Sequence, residues 1–114
     1  MFNGAVIFLM HEPSKILIGG DCLWGSGELM TSDCHSIISQ KTGSRINPAL
    51  NIEIEDHVWF GARFLVLKGG LVSRVSVVST GSIVTSGEYP PNSILAGVPA
   101  RVVKSGISWR QDLL

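Results

Sequence analysis

Charge is scarce in this chain. Only 16% of its 114 residues are Asp, Glu, Lys or Arg, and nine basic residues balance nine acidic ones. A net charge of zero removes the diffuse attraction on which polyanion binding rests, because neutralised phosphates supply most of that affinity. Neither nucleic acid nor an anionic membrane surface is therefore an expected partner. Long apolar runs are missing as well. The run near the N-terminus, Ala5 to Met10, has no basic region before it and stops at His11 and Glu12. It is too short to insert in a membrane and lacks the flanks of a signal peptide. Cysteine occurs twice, at Cys22 and Cys34. Without an export signal, that pair reads as two reduced, buried thiols of a cytoplasmic protein, not as a disulfide framework. Aromatic residues make up only 7% of the chain.

What the chain does have is glycine, 13 residues of it, well above the usual ~7%. Between Ile52 and Thr85 it is dense in Val, Ile, Ser and Gly, which favours strands and tight turns over helices. A hydrophobic share of 45% and a mean hydropathy of +0.32 fit one domain, residues 1–114, that shares part of its surface with other subunits.

The organising signal is a period of six. Ile54, Phe60, Val66, Val72, Val78 and Val84 are evenly spaced, and Ile18, Trp24 and Met30 occupy the same frame upstream. Such a unit is a short strand plus a turn, one face of a parallel β-helix, with the frame residue pointing into a prism. Gly19, Gly25 and Gly61 follow frame residues, where a missing Cβ tolerates positive φ. Four residues after each frame position a second inward site is expected, and Cys22, Cys34, Val58, Phe64, Gly70, Ser76 and Ser82 occupy it. Three faces of six make an 18-residue coil, so the chain holds about four coils.

Residues 36–53 break the frame at Ser36, Thr42 and Pro48, and read as a loop leaving the prism. A loop of that length in a compact domain is usually functional. Residues 89–114 read as a C-terminal loop and helix. The frame ends at Tyr89-Pro90-Pro91, since proline lacks the donor a sheet needs, and Ser108 with Gln111 predicts the cap of a short last helix from Trp109.

Four ordered blocks carry a resemblance: residues 54–62, Leu67-Lys68-Gly69-Gly70, residues 79–85, and residues 90–104 with Ala96-Gly97-Val98-Pro99-Ala100. Through them the chain resembles the hexapeptide-repeat acyltransferases. Ser32-Asp33-Cys34-His35-Ser36-Ile37, followed by Arg45-Ile46-Asn47-Pro48, looks like the polysaccharide and sugar O-acetyltransferase branch. The resemblance implies an all-β, left-handed parallel β-helix, a homotrimer with sites between subunits, acetyl-CoA as acyl donor, and a sugar or glycan hydroxyl as acceptor. It places the catalytic histidine at His35, with Asp33 orienting the imidazole or holding the acceptor, and it implies no metal.

That assignment suits the chemistry. A hydroxyl attacking a thioester needs a positioned base, and a developing oxyanion needs hydrogen-bond donors. Histidine is the best-matched base. The resemblance sets Trp59 near the donor thioester, with the backbone at Gly61 and Ala62 as candidate oxyanion donors. It implies a coenzyme A groove along Ser79, Thr80, Gly81 and Ser82 to Ala96, Gly97 and Pro99. Arg101 and Lys104 lie toward the nucleotide end, and Lys68 is a further candidate. Residues 1–40 hold one basic and four acidic residues, whereas 69–114 hold four basic and two acidic, which agrees. The chain departs from the family pattern at Glu55, Ser79, Val98 and Val72-Ser73-Arg74-Val75, which lacks the customary Gly-Asp turn. Two other readings on the same architecture are a catalytically inactive oligomer serving as a structural or binding module, and a carbonic anhydrase. The latter needs two histidine ligands five residues apart, and no two of His11, His35 and His57 have that spacing.

Overall fold

The computed structural model describes residue 1 and residues 4–114. Its twelve strands are β1 (Val6–Leu9), β2 (Ile16–Ile18), β3 (Leu23–Trp24), β4 (Gly27–Met30), β5 (Ile52–Ile54), β6 (Trp59–Phe60), β7 (Phe64–Leu67), β8 (Leu71–Val72), β9 (Val77–Val78), β10 (Ile83–Val84), β11 (Ser93–Gly97) and β12 (Ala100–Ser105). They form three sheets, the faces of a prism. The first face is β2-β5-β8, the second is β3-β6-β9-β11-β12, and the third is β1-β4-β7-β10. Three successive turns draw one strand from each face, with β1 before them and β11 after them. All pairs are parallel except β11 with β12.

The six-residue frame becomes the core. Trp59 pairs with Val77, Glu53 with Leu71 and Leu65 with Ile83, each eighteen residues on. Ile54, Phe60, Val66, Val72, Val78 and Val84 are all buried in the central column, as are Val58, Phe64, Ser76 and Ser82 at the second inward site. Trp24 stacks on Phe60 with ring centroids 4.5 Å apart, and Phe60 lies 4.5 Å from Phe64. Gly27 faces Phe64 in the ladder, and a Cβ on Gly27 would overlap that ring.

Several expectations need correction. The frame slips at Met30, because Gly27 pairs with Phe64 while Trp24 pairs with Phe60. The first turn thus spends one residue fewer at that corner, and Leu29, not Met30, is fully buried. Cys34 is exposed, since the chain has already left the prism there, whereas Cys22 is buried. Burial pushes the Cys22 thiol pKa up. Gly19, Gly25 and Gly61 do not have positive φ. They are required by close approach instead: a Cβ on Gly25 would sit 2.6 Å from the Gly61 backbone, and one on Gly61 would sit 2.6 Å from Thr80 N.

The left-handed residues fall elsewhere. Asp21, His57, Val75 and Asn92, with φ of 55° to 58°, stack at the corner between the first and second faces. Arg63 and Gly81 do so at the corner between the second and third.

No helix is present among the described residues, so the short C-terminal helix does not form. Its polar groups are taken by the prism. Ile107 N donates to Asn92 O at 3.0 Å and the Trp109 indole donates to His57 O at 2.9 Å, which holds the tail extended. After β10 the chain passes the first face without a strand. Tyr89-Pro90-Pro91 lies there, tied by Tyr89 O, which accepts a hydrogen bond from the Ser73 hydroxyl.

Candidate functional site

Between β4 and β5 the chain leaves the corner joining the third and first faces. The excursion occupies residues 31–51, its last expected residues, Ile52 and Glu53, already lying in β5. Its tip is a hairpin: Ile46 N donates to Ile37 O, Ile38 bridges Arg45, and Ser39 N donates to Ser44 O.

The base of the loop is tied by Asn47, which is buried. Asn47 Nδ2 donates to His35 O at 2.9 Å and to Asp33 Oδ2 at 3.0 Å, while its Oδ1 accepts from Ile37 N at 2.7 Å and Arg45 Nε at 3.1 Å. Every polar atom of that amide is thereby satisfied, which makes it a rigid node. Arg45 also makes a bidentate pair with Glu12, at 2.6 and 2.7 Å. Glu12 further accepts from the Ser32 hydroxyl. Those two partners, Arg45 first, hold the Glu12 pKa down to about 2.

Lys68, at the end of β7 on the same corner, donates to Asp33 Oδ2 at 2.7 Å and to Pro48 O at 3.1 Å. The Lys68 ammonium, then the Asn47 amide, hold the Asp33 carboxyl below its usual pKa. Asp33 is therefore anchored by Lys68 and Asn47. Among the described residues the imidazole of His35 has no hydrogen-bond partner, and it is exposed. The loop base thus presents an open imidazole whose backbone is fixed, two residues after an ionised carboxylate.

The remaining candidates gather on the second face and at its corner with the third. Trp59 points outward from β6, 41% exposed, between Leu23 and Val77. Together with Gly61, Val77, Val78, Ser79 and Thr80 it lines an open depression of about 300 Å³. Ala62 O accepts from Gly81 N at 2.9 Å, and Ser82 Oγ accepts from Gly97 N at 3.3 Å. The hairpin carrying Ala96, Gly97 and Pro99 is thereby brought to the same corner. Arg101 and Lys104 lie on the exposed edge strand β12, opposite Ala96 and Ile94. Gly61 N donates to Val78 O at 2.8 Å, so its donor is already used.

Two groups of candidates result. His35, Asp33 and Lys68 share one corner, whereas Trp59, Gly61, Ala62, residues 79–82 and the 96–99 hairpin share another, with the third face between them. The sequence reading left Glu12, Arg45 and Asn47 without roles. The one signal that could have found Asn47 is an amide at the foot of a long polar loop, where only multiple backbone partners allow burial.

No protein-family model matches the chain. Among curated proteins, a polysialic acid O-acetyltransferase of Neisseria meningitidis is 36% identical over 114 residues, 99% of this chain and 52% of that protein. A polysialic acid O-acetyltransferase of Escherichia coli O1:K1 / APEC is 35% identical over 107 residues, 93% of this chain and 34% of that protein. The chain spans about half the length, or less, of these relatives. Among solved structures, the polysialic acid O-acetyltransferase OatWY superposes with a TM-score of 0.82 at 35% identity, covering 87% of this chain and 47% of that one. The fold is the left-handed parallel β-helix. By sequence and by architecture together, the chain is similar to the hexapeptide-repeat acyltransferases of the sugar O-acetyltransferase branch, and it shares their fold.

Proposed function

We propose that this chain catalyses transfer of an acetyl group from acetyl-CoA to a hydroxyl of a sugar or glycan. The observation that carries the reading is the His35 segment: an exposed imidazole on a loop base fixed by Asn47, two residues after a carboxylate kept ionised by Lys68. His35 takes the proton of the acceptor hydroxyl as that oxygen bonds to the thioester carbonyl carbon. The oxyanion so formed meets a backbone donor, for which Ala62 N–H is available where Gly61 N–H is not. As the carbonyl re-forms, the carbon–sulfur bond breaks, and His35 returns its proton to the departing thiolate. Asp33 holds the acceptor or the imidazole through its second oxygen.

The depression beside Trp59 takes the pantetheine end of the donor, and Arg101 and Lys104 meet its phosphates as exposed cations. Because the two groups of candidates lie at different corners, the working site joins the loop of one copy to the groove of its neighbour, in a homotrimer. Acetyl-CoA and the free thiols of Cys22 and Cys34 fit a cytoplasmic setting. No described helix is long and apolar enough to cross a membrane.

The test is calorimetric titration of coenzyme A into the full chain, with acetyl-CoA consumption measured against a panel of sugars that includes oligosialic acid. Binding and acceptor-dependent consumption are expected. No heat at about 1 mM coenzyme A, weaker than any working donor site, would contradict the proposal and leave a non-catalytic β-helix module.

A further inference from the structure

His57 and the C-terminal tail form a second cluster, separate from the loop. His57 sits at the corner between the first and second faces, two residues before Trp59. Its Nδ1 lies 2.7 Å from Asp21 Oδ2 and its Nε2 lies 3.0 Å from Trp109 O. The Trp109 indole donates back to His57 O at 2.9 Å, and the two rings stack at 3.8 Å with an interplanar angle of 5°. Trp109 thus meets the corner by two reciprocal hydrogen bonds and a ring stack. Its other neighbour is Trp59, with ring centroids 6.0 Å apart and tilted by 46°, inside the range of favourable aromatic pairs.

We infer that Trp109 is a positioning residue, latched by His57 across the second face so that its ring fixes Trp59 at the mouth of the donor depression. The inference rests on the proposed donor site, but the geometry it concerns does not. An exposed indole on a two-residue strand has several rotamers open to it, and a neighbouring ring held by an independent anchor removes some of them. Residues 106–114 form neither strand nor helix, and an irregular segment with few backbone partners stays loose unless it is tied down. Here the tie is made beside Trp59.

The latch has a protonation requirement. A carboxylate and a carbonyl are both acceptors only, so His57 satisfies both when each ring nitrogen carries a proton. The groups facing it are Asp21 from the first turn, Asp56 next to it in the chain, whose carboxylate accepts from Gly20 N, and Arg110 in the tail, paired with Asp112. The Trp109 carbonyl, then Asp21, raise the His57 pKa. A raised value means that the latch is fully made below about pH 6.5, the ordinary histidine value, and lost as pH rises through the raised value.

The experiment follows the three indole N–H resonances of the full chain by NMR and the affinity for coenzyme A by calorimetry, in wild type, Trp109→Ala and His57→Asn. The second variant retains Trp109 but cannot span from Asp21 to the Trp109 carbonyl, and asparagine tolerates the left-handed backbone at this position. In both variants the Trp59 resonance should shift and broaden. Coenzyme A should bind about fivefold more weakly, the scale of one lost aromatic contact. The Trp59 resonance should move as pH rises above about 6.5, the ordinary histidine value, in wild type and hold still in His57→Asn. A Trp59 resonance unchanged in Trp109→Ala would overturn the inference. Failure of wild type to bind coenzyme A would overturn the donor-site reading alone, because the Trp59 resonance reports its positioning without any ligand.

Discussion

Lys68 and Glu12 act at the loop base without forming part of the core. Lys68 joins the end of β7 to Asp33 and Pro48 across the gap that the loop leaves. In Lys68→Met the Asp33 carboxyl loses its leading stabilising partner, so its pKa should climb toward the ordinary aspartate range, as read by carboxyl NMR titration. Acetyl transfer should fall at least about tenfold, as a mis-set catalytic loop implies, with the melting temperature nearly unchanged. An unshifted Asp33 would show that Lys68 does not set it. Glu12 has the sign of a depressed carboxyl. Its contribution is present above its ordinary pKa of 4.5 and is lost as pH falls through about 2. Glu12→Gln should therefore flatten the acid limb of stability between those values, measured by urea unfolding at a series of pH values. An unchanged limb would assign the acid sensitivity to other groups.

Corners decide whether a coil closes. Val75 stands at the left-handed position of its turn with φ of 56°, a conformation in which a β-branched residue is strained. Val75→Gly should relieve about 1 kcal/mol, visible as a higher denaturation midpoint, and an unchanged or lower midpoint would place the strain elsewhere. Gly61→Ala should do the reverse, costing roughly 1–3 kcal/mol, because the new Cβ meets Thr80 backbone at 2.6 Å. The strand columns were legible in the sequence because each turn repeats the same inward demand, so Phe60, Val66, Val72, Val78 and Val84 announce one another. Corner chemistry was not legible in the same way. Glycines at Gly25 and Gly61 read as left-handed turns, yet they serve a close approach between successive turns that only the stacked structure reveals. The tail failed as a helix because Trp109 and Ile107 find partners 52 and 15 residues away, beyond any local propensity. In the loop, His35 and Asp33 were singled out by their motif, and the structure places both at the loop base. The Glu12–Arg45 and Lys68–Asp33 pairs span 33 and 35 residues with no periodic signature, and so left no trace to read.

At the scale of the whole molecule the prism measures 56 × 25 × 21 Å, long enough to carry separate corners but too narrow to enclose a substrate. Inward-pointing Phe8 and Ile18 in the first turns remain 48% and 40% exposed. The residues proposed to bear the chemistry lie on outer corners, so the proposed site takes its loop and its groove from different copies. His35→Ala should reduce acetyl transfer at least about a hundredfold, the scale of a lost general base, with assembly and melting temperature preserved, and retained activity would reassign the base. The central claim is that loop and groove come from neighbouring copies. It is tested most directly by co-expressing His35→Ala with Trp59→Ala, each inactive alone, and measuring acetyl-CoA turnover by the mixed oligomers. Random assembly pairs an intact loop with an intact groove at about one interface in four, so recovery of roughly a quarter of wild-type activity is predicted. A mixture as inactive as either variant alone would contradict the shared site.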